Sequence, residues 1–228
     1  MKLSIVRFLT VFAFISFESR FFESSAQIIV TEPYEFAVGV SGGTTFSSVV
    51  FNPRVPQARL QGLTFGLTGR MMMGEYVGLK LELNYVQEGW LEDYEEFPDL
   101  TYSRRFHYFQ LPFYTRVQFG GKNVKGFLNA GPQIGYFLKE SSENRLNGET
   151  PGRVNNQHDM PVENRFQWGL SGGGGIEIRT GIGFFLLEGR YFYSFGDIYG
   201  TKRSDFFSKA SGEVFTAKLT YLMPIRKL

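Results

Sequence analysis

Hydrophobic and polar residues alternate at period two over much of this chain, most plainly between Tyr108 and Leu138. Phe109, Leu111, Phe113, Val117 and Phe119 fall on one face, and Tyr108, Gln110, Tyr114, Arg116 and Gln118 on the other. Gly120-Gly121-Lys122-Asn123 then gives a dense turn signal. After it Val124, Leu128, Ala130, Ile134, Tyr136 and Leu138 oppose Lys125, Asn129, Gln133 and Lys139. Two such runs around a short Gly-rich turn predict a β-hairpin. Each arm has about the ~9–11 residues that a tilted strand needs to cross a bilayer. One face is free of charge and the other carries it.

The same pattern recurs along the chain. A first strand is expected over Glu35–Phe46, with Phe36, Val38 and Val40 against Ala37, Gly39 and Ser41. A polar connection covers Ser47–Arg59, and a second strand Leu60–Met71 sets Leu63, Phe65 and Leu67 against Gly62, Thr64, Gly66, Thr68 and Arg70. After a turn around Met72-Met73-Gly74, Val77, Leu79, Leu81, Leu83 and Tyr85 oppose Gly78, Lys80, Glu82 and Asn84. A helix would scatter those leucines around its circumference, so a strand is expected. Glu88–Arg105 and Glu140–Arg165 read as long connections flanking the central hairpin. Strand six, Phe166–Arg179, sets Phe166, Trp168, Leu170, Ile176 and Ile178 against Gln167, Ser171, Glu177 and Arg179. After a turn at Thr180–Gly183, strand seven (Phe184–Gly196) points Phe185, Leu187, Tyr191, Tyr193 and Phe195 outward and Glu188, Arg190 and Ser194 inward. A fourth long connection, Asp197–Glu213, leads to strand eight, Val214–Ile225, where Phe215, Ala217, Leu219, Tyr221 and Met223 oppose Thr216, Lys218 and Thr220.

Eight strands joined alternately by long and short connections predict an all-β fold, an eight-stranded antiparallel transmembrane up-and-down β-barrel over residues 35–228. Closure matters because an open sheet edge in hydrocarbon leaves backbone groups unpaired, at several kcal/mol each. Eight strands enclose a lumen that side chains fill. Both termini and the short turns are expected on the periplasmic side, with the long loops outside.

Composition fits this reading. The 228 residues are 43% hydrophobic and 17% aromatic, yet a barrel with a polar lumen has a mean hydropathy near that of a soluble protein. No run of 18 apolar residues suggests a membrane helix. A net charge of +2 gives no footprint for nucleic acid, and zero cysteines removes disulfides, thiolate metal sites and thiol catalysis. Lys2 and Arg7 precede the apolar run Phe8–Phe17, and Ser24-Ser25-Ala26 offers small residues before Gln27. This is the pattern of a signal peptide over residues 1–26, followed by a short periplasmic segment, 27–34.

The inward set holds Arg70, Lys80, Glu82, Arg116, Lys125, Glu177, Arg179, Glu188, Arg190 and Lys218. In a narrow lumen such charges must pair, so a structural salt-bridge plug centred on Lys80, Glu82, Arg116, Glu177, Glu188, Arg190 and Lys218 is expected. Because bases outnumber acids, an anion site is the functional alternative. Outward aromatics recur towards strand ends: Tyr85, Phe109, Tyr136, Trp168 and Tyr193 by the long loops, and Phe65, Phe119 and Tyr221 by the short turns. Rings of this kind form interfacial girdles. The glycines Gly172–Gly175 read as sharp strand curvature in a narrow barrel or as room for a large inward neighbour such as Phe127 or Phe137, since no helix follows them to make a phosphate cradle.

Catalysis lacks its parts. The two histidines, His107 and His158, and the hydroxyls Ser103 and Ser171 have no spacing that sets a serine against a histidine. His158-Asp159 and Glu92-Asp93-Glu95-Glu96 carry metal-binding side chains, but they lack the spacing of a calcium loop and read as a solvated rim. No cofactor, metal or catalytic residue is expected.

Tyr108-Phe-Gln-Leu-Pro112, Ala130-Gly-Pro-Gln-Ile-Gly-Tyr136 and Gly189-Arg-Tyr-Phe-Tyr193, with Gly39–Phe46 and Leu79–Tyr85, resemble the PorT-like family of outer-membrane β-barrels from Bacteroidetes-type bacteria. The resemblance spans roughly Glu35 to Ile225. It implies an eight-stranded barrel in the outer membrane of a Gram-negative bacterium, in contact with outer-membrane lipids. Some members serve type IX protein secretion and gliding, which implies envelope or secretion-machinery proteins as partners. The chain departs from many barrels in ending Ile225-Arg-Lys-Leu228 rather than on an aromatic, so the expectation is that Tyr221 or Leu228 serves as the signal for barrel assembly or that recognition is looser here. The expected role is a non-enzymatic structural or assembly component of the envelope. The alternatives are a binding or adhesion barrel working through its long loops, and a narrow pore.

Overall fold

The computed structural model describes residues 34–92, 94, 97, 100–146, 156–158, 160–200 and 206–227, without the side chains of Arg226 and Lys227. The expected signal peptide, the segment 27–33 and Leu228 lie outside the described residues. Among the described residues nine strands form: β1 (Tyr34–Asn52), β2 (Gln57–Ala58), β3 (Leu60–Met73), β4 (Val77–Glu92), β5 (Tyr102–Gly120), β6 (Val124–Asn144), β7 (Phe166–Thr180), β8 (Gly183–Asp197) and β9 (Lys209–Lys227). All pairings are antiparallel. β2 lies beside the loop end of β4, and the other eight close into one ring through β4–β5 and β1–β9. The barrel is eight-stranded, and its backbone ladder has no open edge across the span.

Along the middle of every strand the faces separate as the alternation requires. Leu67 and Leu187 stand outward at 61% and 62% exposure, while Lys80, Glu82 and Glu188 are buried inside. Water would not tolerate this continuous apolar belt on a soluble protein, and hydrocarbon is the solvent that does. The turns at 74–76, 121–123 and 181–182 share one end with Tyr34 and Lys227. The strand ends at Asn52, Leu60, Glu92, Tyr102, Asn144, Phe166, Asp197 and Lys209 lie at the other end.

The strands run past the expected boundaries at that loop end. β1 continues to Asn52, β4 to Glu92 and β6 to Asn144, while β5 starts at Tyr102 and β9 at Lys209. Much of what reads as connection in Ser47–Arg59, Glu88–Arg105, Glu140–Arg165 and Asp197–Glu213 is therefore strand. The physical reason is an inversion of polarity. Above the aromatic rows the interior is apolar, built from Val49, Phe51, Trp90, Tyr102, Phe106, Tyr108, Tyr199 and Phe207, and closed by Val55, Leu100, Leu146 and Ile198. The outer face there carries Gln87, Arg105, Lys139, Ser141 and Glu143. One barrel thus crosses hydrocarbon with a polar inside and enters water with an apolar inside. Two smaller departures sit elsewhere. Met72 and Met73 belong to β3, which places the turn at 74–76. A register shift between His107 and Tyr108 re-aims the upper part of the β5–β6 hairpin.

Candidate functional site

From the turn end upward, the lumen is filled in layers. At the bottom lies a small apolar cluster of Ala37, Phe127, Phe184, Leu186 and Leu222. Phe127 lies flat under the Arg116 guanidinium, 3.9 Å from carbon to ring centre, and fills space that any side chain at Gly175 would occupy. Of the glycine run, Gly175 makes room for the Phe127 ring; Phe137 instead packs in the aromatic mouth, against Phe106 and Tyr108.

Above it sit two ionic clusters. Glu177 is shared by Arg70, Arg116 (2.6 Å) and Arg179 (2.8 Å), and Glu35 by Arg70 (2.5 Å) and Arg179 (3.0 Å). In the second, Glu82 takes Lys80 at 2.7 Å, Lys218 at 2.8 Å and Arg190 at 2.9 Å. Glu188 takes Lys80 at 2.6 Å and Arg190 at 3.3 Å. Asn84 and Asn129 complete the shell, bonding Glu82 and Glu188. The seven charges Lys80, Glu82, Arg116, Glu177, Glu188, Arg190 and Lys218 are thus brought together as two clusters rather than one. Lys125 is half-buried, and no ion pair with it is found among the described residues.

Glu35 and Glu88 are the lumen acids that sequence reading missed. Glu35 shares the parity of Ala37 and Ser41, and Glu88 that of Glu82 and Asn84, so a longer reading of the alternation would have found both. Glu88 belongs to a third layer made of amides, where Gln167 and Gln110 donate to its carboxylate at 2.7 and 3.0 Å. Gln133 bonds Gln110 at 2.9 Å, and Tyr114 donates to Ser171 at 2.9 Å. Between the amide layer and the upper ion cluster lies a cavity of about 10 Å³, lined by Thr64, Asn84, Gln110, Arg190, Thr216 and Lys218. That is room for one water molecule.

A latch closes the mouth over the aromatic core. The 3-10 turn Asn156–His158 puts the Gln157 amide on Glu92 at 2.9 Å and His158 Nε2 on the same carboxylate at 2.9 Å. Tyr94 also donates to Glu92, and Tyr102 stacks on the His158 ring at 3.8 Å. Arg104 bonds the Gln157 carbonyl at 3.0 Å, the Tyr199 hydroxyl at 2.9 Å and Glu140 at 2.7 Å. Burial alone would push the Glu92 carboxyl up, but the hydrogen bonds from His158, Tyr94 and Gln157 hold it below the usual carboxylate range. A carboxylate with a depressed folded pKa stabilises the closed state above the unfolded value and loses that contribution as pH falls through the folded one. Protection of the Gln157 and His158 amides, relative to their intrinsic exchange rates, should therefore be high at neutral pH and fall below about pH 4.5. Glu92→Gln should show fast exchange there at neutral pH; unchanged protection in that variant would refute the latch.

The outward aromatics form a row at the loop side. Tyr85 meets Phe65 at 5.0 Å and Phe109 at 6.2 Å, Tyr136 pairs with Phe109 and Phe166, and Trp168 meets Phe195 at 5.2 Å, beside Tyr193. Phe65 pairs with Tyr85, so it belongs to this upper row and not to the short-turn end as its place in the sequence suggests. Tyr221 lies at the turn end, its hydroxyl 2.5 Å from the Ile182 carbonyl. His107 Nδ1 lies 2.5 Å from the Tyr85 hydroxyl, and His158 is held on Glu92. Among the described residues no hydrogen bond joins a serine to a histidine, and no group of three acids or histidines is placed to hold a metal. Asp93, Glu95, Glu96 and Asp159 lie outside the described residues.

A closed ring with a charged lumen and an apolar belt is the architecture of a membrane barrel, and a family model described as outer membrane protein beta-barrel domain matches residues 25–200. The chain belongs to that family. It is an outer-membrane β-barrel protein. Similar solved structures include the attachment invasion locus protein Ail of Yersinia pestis, 14% identical over 83% of this chain and 99% of that one, TM-score 0.39. Neisserial surface protein A is 12% identical over 82% and 96%, with a TM-score of 0.43. The outer membrane enzyme PagL is 14% identical over 83% and 99%, with a TM-score of 0.40. No curated protein matches the chain in sequence.

Proposed function

We propose that this barrel is a non-enzymatic, non-conducting structural or assembly component of the outer membrane of a Gram-negative bacterium, exported by a signal peptide cleaved after Ala26. The observation that carries the reading is the filled lumen. Six bases share four carboxylates there, with space for one water between the layers. A solute would have to break buried ion pairs to pass, which costs several kcal/mol per pair. The work is then done on surfaces. The sequence resemblance to PorT-like barrels directs that work to protein export, type IX secretion in particular. The strand extension beyond the aromatic row supports it, because a shaped platform on rigid strands holds a partner better than free loops do.

Deletion of the protein tests this reading. Exported proteins should fall at the surface and in the medium and accumulate in the periplasm. Unchanged export would overturn the secretion role and favour binding of an external ligand through the loop end. The latched mouth is the observation that favours that second reading. Trimming the 145–165 connection would then abolish ligand binding and leave insertion intact.

A further inference from the structure

One patch of basic side chains differs from the bases of the two ionic clusters. Arg105 and His107 lie two residues apart on the outer face of β5, and Lys139 is the register partner of His107 on β6. His107 and Lys139 sit one outward row above Tyr85, Phe109 and Tyr136, Arg105 one row higher, and the Tyr85 hydroxyl touches His107. Each base of the two ionic clusters reaches a carboxylate, whereas Arg105 donates only to the Gln61 carbonyl at 3.3 Å among the described residues. Its buried Nε has no partner there. The acids of the same hairpin are engaged elsewhere: Glu140 turns inward to Arg104, and Glu143 pairs with Arg145.

Aromatic rows mark headgroup depth, because an amphipathic ring rests between hydrocarbon and water. Cations directly above such a row face the phosphates of the leaflet. Arginine holds a phosphate through two parallel N–H bonds, lysine adds a point charge, and the largely buried His107, held by the Tyr85 hydroxyl, packs between them. We infer that Arg105, His107 and Lys139 form a docking site for the phosphate of a membrane lipid headgroup in the loop-end leaflet. The strand extension supplies the wall above it, and the aromatic row supplies the floor for the acyl chains. The inference stands apart from the role in export, since it concerns the lipid boundary of the barrel.

Native mass spectrometry of the full chain in detergent micelles, with bisphosphorylated lipid A as the probe, tests it. Each charge removed near a membrane surface weakens attraction about fivefold, so Arg105→Gln with Lys139→Gln should weaken retention about 25-fold. Lys209→Gln, which removes a base beside Tyr193 on another part of the rim, should leave retention unchanged. Arg105→Lys with Lys139→Arg keeps both charges and should retain the lipid, which separates loss of charge from loss of fold. Dephosphorylated lipid A should not be retained. Equal retention by the double glutamine variant, or displacement of the lipid by inorganic phosphate at matched concentration, would overturn the site.

Discussion

Glu82→Gln should destabilise the barrel by about 3–5 kcal/mol, the range for breaking a buried ion pair from one side. Glu82 is fully buried and serves Lys80, Arg190 and Lys218 together. Lys80 and Arg190 keep Glu188 after the change, but Lys218 keeps only the Asn84 side-chain oxygen at 2.8 Å. An amide in place of the carboxylate therefore leaves Lys218 a buried cation without a carboxylate partner. Urea unfolding in lipid vesicles gives the loss directly. Removing both charges, Glu82→Met with Lys218→Met, should recover much of it, because apolar side chains of similar volume carry no desolvation penalty. A Glu82→Gln barrel as stable as the parent would show that the cluster does not hold the lumen together.

Gly39→Val should block closure altogether. Gly39 lies on the seam where the first strand meets the last, opposite Leu222. A side-chain carbon at Gly39 would stand 1.8 Å from the Tyr221 carbonyl oxygen and 2.9 Å from the Leu222 Cα, and neither backbone atom has anywhere to go. The seam has to complete the ring, so its failure leaves two strand edges exposed to hydrocarbon. Gly69→Ala is the matched control, since the nearest atom to its new carbon lies 4.0 Å away on the lipid face. On unheated gels Gly39→Val should migrate as unfolded chain and Gly69→Ala as compact barrel. A compact Gly39→Val would mean that the seam is looser than described.

The sequence reading and the molecule part company where the solvent changes. Within the membrane one rule, apolar out and polar in, holds from Val77 to Tyr85, so alternation found the strands and placed Lys80, Glu82, Glu188 and Arg190 in the lumen. Above Tyr85 the rule reverses. Trp90 and Phe106 turn inward and Arg105 and Lys139 outward, and strands judged by the membrane rule read as loops. Glu88 was lost with them. The depth of Phe65 was hidden for another reason: it depends on strand register, and alternation fixes a face but not a height. Which carboxylate serves which base was equally hidden, because Arg70 and Glu177, or Lys218 and Glu82, meet only across the closed lumen.

A lumen filled in this way should carry no current. Purified full-length protein inserted into a planar bilayer gives the decisive measurement. The membrane should stay silent, with no steady conductance steps at any applied voltage. Stable ohmic steps whose size or ion selectivity changes when Glu188 or Arg190 is replaced would contradict it, and would make the ionic clusters the lining of a pore.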